Sequence, residues 1–277
     1  AVNMDGELTV VVNQWEGVSA AFQRGSRFGQ GFGPPVDLAA GPLDGVSLVS
    51  RGLPGAIAVI AAAERGSLHL PASLYMRKIM VGARARGAID IDDSVENNLR
   101  RVAFASDMRI SDLTVVLLDR PRHQSLVEET RAAGARVSLV SDGEVAAAVM
   151  AALDDSGVDV VLGIGSAEDA TLAACALKCL GGELQAIPWA RSEEQAAELT
   201  AMGVDLERRY SIDDLAGGDE VVFAATGVTD GLLLQGVRYH DRWAESQSLV
   251  MRSQSGSLRR ISTRHHYALS QKTRPVH

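Results

Sequence analysis

Between residues 113 and 180 the chain repeats one pattern three times: a short apolar run, a polar or glycine-rich loop, and an alanine-rich stretch of helical spacing. The runs are LTVVLLD at 113–119, RVSLV at 136–140 and VDVVLGIG at 158–165, and the helical stretches cover 123–133, 143–153 and 167–180. Strands alternating with helices of this length predict βα units, and so a parallel sheet covered by helices. Ligands in such sheets sit outside the carboxyl ends of the strands. The loops that close the three runs, DRPRH at 119–123, SDGE at 141–144 and GIGSAED at 163–169, therefore point at one site.

The first third has a different texture. Apolar runs at 8–12, 46–50, 56–64 and 74–82, separated by glycine and proline clusters, read as strands. Residues 92–107 follow with Val95, Leu99, Val102 and Ala103 on one face, an amphipathic helix capped by Asp92, Asp93 or Ser94. Beyond Gly182 the chain offers a polar helix (SEEQAAELTAMG), a strand leading into GVTDG at 227–231, and a hairpin formed by SLVMRS and SLRRIS. The tail from Arg264 to His277 reads as mobile, and no internal repeat of fixed period is present. The division that follows is an N-terminal α/β half over 1–111 and a C-terminal α/β half over 112–277.

Composition narrows the class. Of 277 residues 46% are hydrophobic and 22% charged, a balance that excludes wholesale disorder, a collagen-like fibre and a coiled-coil rod. Aromatics make up only 4%, so the core is built from Ala, Val, Leu and Ile. The net charge of −8 provides no field to gather nucleic acid or anionic lipid. With no long apolar span and no signal-peptide pattern at the start, the expectation is a cytoplasmic protein. Cys175 and Cys179, four apart in a helical stretch without further ligand-spaced Cys or His, read as core thiols.

Each loop residue has two readings. Arg120 and Arg122, around a proline, suit phosphate oxygens, and equally suit surface ion pairs. His123 reads as a helix N-terminal residue. Asp142 and Glu144 suit sugar hydroxyls or helix capping. The glycines of GIGSAED suit an anion at a helix N-terminus, while Glu168 and Asp169 equally satisfy the helix dipole. GPLDGV at 41–46 fixes Asp44 in a turn between two strands. Trp15 and Trp189 read as packing residues, the His265–His266 pair as no metal site, and GVTDG as a turn that could bring Thr229 and Asp230 near the loops.

Taken in order, VDLAAGPLDGVSL, AIAVIAAAERG, YMRKIMVG, ENNLRRVA, LTVVLLDRPRH, GARVSLVSDGEVAAA, GVDVVLGIG, LKCLGGELQ, ATGVTDG and SLVMRSQSGSLRRI resemble the class II fructose-1,6-bisphosphatases, metal-dependent sugar phosphatases of the lithium-sensitive, inositol-monophosphatase-like superfamily. The resemblance implies a layered α-β-α-β-α sandwich, usually oligomeric, in carbohydrate metabolism. It also implies hydrolysis of the 1-phosphate of fructose 1,6-bisphosphate with Mn²⁺ or Mg²⁺ activating water. Carried onto this chain, it places substrate at Asp44, Gly45, Val46, Tyr75, Arg120, Pro121, Arg122, Asp142, Gly143, Glu144 and Ser166, with Asp44 as the remaining catalytic carboxylate. Asp44, Asp169 and Glu16 are the residual metal ligands it implies.

The chain departs from the family at the metal. The family turn Asp-Pro-Ile-(Asp or Glu)-Gly-Thr reads Gly41-Pro42-Leu43-Asp44-Gly45-Val46 here, which removes one carboxylate and the hydroxyl that handles water or phosphate. Upstream, a Gly-Glu-Gly-Glu stretch becomes VNQWEGVS at 12–19, in which at most Glu16 survives as an acid. The family's leading helical segment, with a lysine and a further metal-binding aspartate, precedes the point where this chain starts. Mg²⁺ and Mn²⁺ want near-octahedral oxygen ligands including carboxylates, so the expectation is weak or lost hydrolysis. The alternative is a non-catalytic subunit that binds a sugar phosphate or a complete partner.

Overall fold

The structure, a computed structural model, describes residues 4–11, 23–73 and 75–267. In chain order the strands are β1 (Asp5–Val11), β2 (Arg27–Phe28), β3 (Pro35–Asp44), β4 (Ile57–Glu64), β5 (Tyr75–Val81), β6 (Thr114–Leu118), β7 (Arg136–Val140), β8 (Val160–Ser166), β9 (Glu183–Pro188), β10 (Tyr210–Ser211), β11 (Val221–Gly227), β12 (Arg238–Tyr239), β13 (Trp243–Arg252) and β14 (Ser257–His266). The helices are α1 (Val46–Ser50), α2 (Val95–Ala105), α3 (Gln124–Ala132), α4 (Glu144–Ala151), α5 (Ala167–Leu180), α6 (Glu193–Ala201) and α7 (Ile212–Leu215).

Two sheets form. The first runs β12-β13-β11-β4-β3-β1-β2, with β14 pairing β13, and the second runs β10-β9-β5-β8-β6-β7. Each sheet takes strands from both sides of residue 112: β5 joins the second, while β11 and β13 join the first.

Packing follows from alternation. Along β4 the odd positions Ile57, Val59, Ala61 and Ala63 are buried, and Ile60 and Glu64 face out. That inner face, with Phe223, Ala225 and Met251, packs on α4 and α5, whose far side meets Met76, Met80, Val116, Val161 and Leu184 of the second sheet. The other side of the second sheet, through Ile79, Val115, Leu117 and Leu162, packs on Leu99 and Val102 of α2 and Val127 of α3. The layers among the described residues are therefore helix, sheet, helix, sheet, an α/β sandwich as expected but with four of the five expected layers. α5 sits between the sheets and is apolar nearly all round, with Ala170 and Leu172 to Leu177 fully buried. Small alanines let two sheets approach one helix, which is why an aromatic-poor chain builds this core. Cys175 and Cys179 are free and buried there, and burial pushes the Cys179 thiol up to about 11 and that of Cys175 higher. No helix of the described residues is long and apolar enough to cross a membrane.

Three expectations change. Residues 46–50, read as a strand, form helix α1: Gly45 has φ 97°, a left-handed conformation that ends β3 and turns the chain, and Asp142 from another loop holds the first helical turn. Asp44 consequently closes a strand that leads into a helix, not a turn between two strands. The second sheet is mixed rather than parallel. β7, β6 and β8 are parallel, but β5 inserts antiparallel between β8 and β9, which α5 connects across it. Arg264 to His266 complete β14, paired with β13, and residues 268–277 of the expected mobile tail lie outside the described residues.

Candidate functional site

The three loops converge. His123 is fully buried at the end of β6: its Nδ1 bonds the Leu118 carbonyl at 2.7 Å, and its Nε2 accepts from the Ile164 N–H at 2.7 Å. This pattern is that of a neutral imidazole protonated at Nδ1, and burial also lowers its pKa. His123 thus ties β6 to β8, more than the helix start expected for it. Its neighbour Arg122 donates from Nε to the Ile164 carbonyl at 3.0 Å, which brings DRPRH onto GIGS. Pro121 opens the one-turn 3₁₀ segment that carries this pair, and Arg120 donates to the Asp119 carbonyl.

At the floor lies a group the sequence reading passed over. Lys78 of β5 is fully buried; its Nζ sits 2.5 Å from Glu144 Oε1 and donates to the Ser166 carbonyl at 2.9 Å. Gly165 makes room for this pair, since a Cβ there would fall 1.7 Å from Glu144 Oε2. The signal was present in YMRKIMV, where Lys78 occupies the same strand face as Met76 and Met80.

Acids crowd beside it. Asp44 is buried and accepts from the Ala146 N–H at 3.3 Å. Burial, then the charges of Asp169, Asp142 and Glu144, push its carboxyl well above the usual carboxylate range. Burial and then the charge of Glu144 push Asp169 up to about 7, against the opposing pull of Lys78. Asp169 Oδ1 and Glu144 Oε2 are buried without a hydrogen-bond partner. Such oxygens suit a cation. Yet among the described residues no three His, Cys, Asp or Glu side chains are arranged to hold a metal ion. Asp44 and Asp169 alone do not make a metal cage, and Glu16, like Trp15, lies outside the described residues.

Asp142 is occupied. Its Oδ2 accepts from the Ser47 N–H at 3.1 Å and the Ser47 hydroxyl at 2.9 Å, and its Oδ1 accepts from the Gly143 N–H at 3.0 Å. It caps α1, across the two sheets, rather than the helix that follows it. Gly143 has φ 90° and precedes α4, as Gly45 precedes α1 and its first residue Val46. Ser166 caps α5 by accepting from the Asp169 N–H at 3.0 Å. Thr229 and Asp230 hold the neighbouring turn, Thr229 accepting from the Ala56 N–H and Asp230 from the Gly236 N–H. His265 bonds Ser246 on the first sheet, away from these loops.

The rim is cationic. The Arg122 and Arg191 guanidinium carbons each lie 5.3 Å from the centroid of the Tyr75 ring, and Trp189 meets that ring edge-on at 6.3 Å. Among the described residues no carboxylate forms an ion pair with Arg120, Arg122 or Arg191, although many other arginines of that set are so paired. Burial, ahead of the positive charges of Arg120 and Arg191, lowers the Arg122 pKa, against the opposing pull of Tyr75 and Glu144. An acid centre beside an arginine rim without ion-paired carboxylates suits a phosphorylated polyol.

The family described as bacterial fructose-1,6-bisphosphatase, glpX-encoded, matches residues 1–265. Curated proteins named D-fructose 1,6-bisphosphatase class 2/sedoheptulose 1,7-bisphosphatase, from Synechococcus elongatus and two further Synechococcus strains, are each 39% identical over 243 residues, 83% of this chain and 70% of theirs.

Proposed function

This chain belongs to the bacterial, glpX-encoded fructose-1,6-bisphosphatase family of sugar phosphatases, and from that premise we propose that it binds a ketose bisphosphate at the Tyr75–Arg122 rim and hydrolyses it weakly or not at all. The observation that carries the binding half is the rim itself: Arg122 of the family pattern lies over the Tyr75 ring with Arg120 two residues before it, and neither arginine is ion-paired to a carboxylate among the described residues. The names of the relatives make fructose 1,6-bisphosphate and sedoheptulose 1,7-bisphosphate the two ligands to try.

The weak-hydrolysis half rests on Gly41 and Val46. Gly41 leaves no carboxylate at the first position of the family turn that ends in Asp44, Gly45 and Val46, and Val46 has no hydroxyl to orient water or phosphate. Mn²⁺ or Mg²⁺, when bound, would polarise the phosphoryl group and activate water. Asp44 and Asp169 are the described residues that would touch it, as many carboxylates as such an ion keeps beside substrate phosphates, so the expected loss lies in the carboxylate missing at Gly41 and the hydroxyl missing at Val46, which would place the water. What the chain's own residues do is bind and orient: arginines hold phosphate, and Asp142 keeps α1 and the Asp44 turn in place. Losing organised metal and water removes several kcal/mol of transition-state stabilisation, about tenfold in rate for each ~1.4 kcal/mol. A non-catalytic, ligand-sensing or partner subunit is the second reading, favoured by the same two substitutions. In the cytoplasm and as a homo-oligomer, either role is compatible with the family.

Phosphate release from both bisphosphates with Mn²⁺ or Mg²⁺, beside calorimetric binding, decides. The expected result is binding abolished in Arg122→Ala with turnover near background. Brisk turnover abolished in Asp44→Asn would overturn the weak-enzyme reading.

A further inference from the structure

We infer that His123 is the positioning residue of the DRPRH loop and acts as an acid-sensitive latch. Neutral, it leaves the Ile164 carbonyl to Arg122; protonated, it competes for that carbonyl and loosens the arginine, so that the site releases a phosphorylated ligand as pH falls. This rests on the reading that Arg122 binds phosphate, and it adds a regulation that neither the loops nor the family resemblance supplied.

β6 and β8 pair only through Val115 and Val116 with Val160 and Val161. Farther along β8 two side chains from the end of β6 take the place of a strand. The Ile164 N–H donates to His123 Nε2 at 2.7 Å, and the Ile164 carbonyl accepts from Arg122 Nε at 3.0 Å. Both groups of one strand residue face the same edge, so the histidine and the arginine are read out side by side.

The tautomer is forced by its partners. A backbone N–H only donates and a carbonyl only accepts. Nε2 must therefore carry a lone pair for Ile164, and Nδ1 a proton for the Leu118 carbonyl at 2.7 Å. An imidazolium cannot meet both demands, because its Nε2–H would face the Ile164 N–H. The ring is fully buried, and the Gly163 Cα leaves little slack, since a Cβ there would stand 3.3 Å from it. The nearest acceptor for the new proton is the Ile164 carbonyl, 3.2 Å from Nε2. That oxygen can accept twice, but a guanidinium and an imidazolium would then share it, and like charges repel most strongly out of water. His123 is enclosed while Arg122 is half-buried at the rim, so Arg122 gives way.

The charges around the ring set the direction. Burial first, and then Arg122 of the same turn, keep it neutral below the ordinary histidine value, while the Leu118 and Ile164 bonds and Glu144 of α4 pull the other way. Glu144 is itself matched by Lys78 of β5. Asp119 and the α3 acids Glu128 and Glu129 are exposed, and β8 presents the uncharged Gly163, Ile164 and Gly165. Proton uptake, and with it the release of Arg122, therefore belongs to acid rather than neutral pH.

The test follows the full chain, labelled with ¹⁵N and assigned through the backbone, by NMR from pH 7.5 to pH 5. Calorimetric titration with fructose 1,6-bisphosphate accompanies it at both pH values, for the unsubstituted protein and His123→Gln. Glutamine sets an amide oxygen, which takes no proton, at the place of Nε2. Asp44, Asp169 and the ligand's own phosphates titrate with both proteins, so each protein is compared with its own affinity at pH 7.5. The expected result is a His123 ring in the Nδ1–H form at pH 7.5 that gains a second proton on acidification, together with faster solvent exchange of the Arg122 Nε–H. Affinity should fall at least fivefold more in the unsubstituted chain than in His123→Gln. A ring that stays neutral to pH 5, or one that charges while the Arg122 Nε–H is unmoved, overturns the latch whether or not ligand binds and whether or not the variant folds. Equal pH dependence in the two proteins overturns the control of binding and leaves the sugar-phosphate site standing. No binding at pH 7.5 by the unsubstituted chain overturns the reading beneath it, while the ring and Arg122 signals still decide the latch.

Discussion

Lys78 Nζ and Glu144 Oε1 lie 2.5 Å apart with side-chain exposures of 0% and 6%, so the two charges at the floor of the site neutralise each other almost entirely out of water. One comes from β5 and the other from the first turn of α4, and the Ser166 carbonyl at the start of α5 takes a further Lys78 proton. The pair joins strand and helices at the point where the three loops meet.

Breaking such a pair leaves an uncompensated buried charge, which costs about 3–5 kcal/mol. Lys78→Met and Glu144→Leu should each lower stability by that order in urea denaturation. The double variant should recover much of the loss, because no charge is then left unpaired. Two single losses that simply add in the double variant would contradict the pairing.

Gly165→Ala should be costly for a reason specific to this pair, since its methyl would meet Glu144 Oε2 at 1.7 Å and Lys78 Nζ at 2.8 Å. Overpacking of a tight interior costs about 1–3 kcal/mol, occasionally more. Combining it with Glu144→Ala, which removes the nearest clash, should cost less than the sum of the two single changes. Thermal melts of the three variants measure this.

Stability should fall as pH rises from about 4 to about 7. Asp169 holds its proton up to about 7 in the folded chain and, unfolded, releases it near the ordinary aspartate value of 3.8. In that window the folded state binds the extra proton, so raising pH favours unfolding, by up to about 4 kcal/mol. Asp44 is shifted in the same direction. Asp169→Asn should flatten the slope in denaturation curves taken at pH 4, 5.5 and 7; an unchanged slope would count against a proton held at this site.

Asp142→Ala should destabilise by about 1–2 kcal/mol through the lost α1 cap, and Ser47→Ala by less, since it removes the hydroxyl contact and keeps the backbone one. Urea midpoints give the order. A Ser47→Ala loss as large as that of Asp142→Ala would mean that the carboxylate acts mainly through the hydroxyl.

Much of the fold was legible because its signals are local. α5 was read over 167–180, its full extent, from an alanine- and leucine-rich run of helical spacing. β6, β7 and β8 were legible from apolar runs of strand length. α1 was not, because Val46, Leu48 and Val49 favour a strand and only Asp142, nearly a hundred residues away in sequence, holds the first turn helical. Asp142 was legible as a polar loop residue with helix capping as its alternative, though the helix it caps is α1 rather than the one that follows it; that Ser166 caps α5 was not read from the sequence. Lys78 left a trace, a charge on an apolar strand face. Arg191 left none, because its place over Tyr75 depends on β9 lying beside β5.

By itself the sequence determined the family, the α/β class, the alanine-built core and the convergence of three loops, since these rest on periodicity, composition and residues within one loop. Only the tertiary structure decided that β5 runs antiparallel between β8 and β9, that Lys78 neutralises Glu144, and that two arginines from different loops share one tyrosine ring. Strand order and burial are set by packing between distant segments, and charges acquire their partners and their pKa values only after that packing has excluded water.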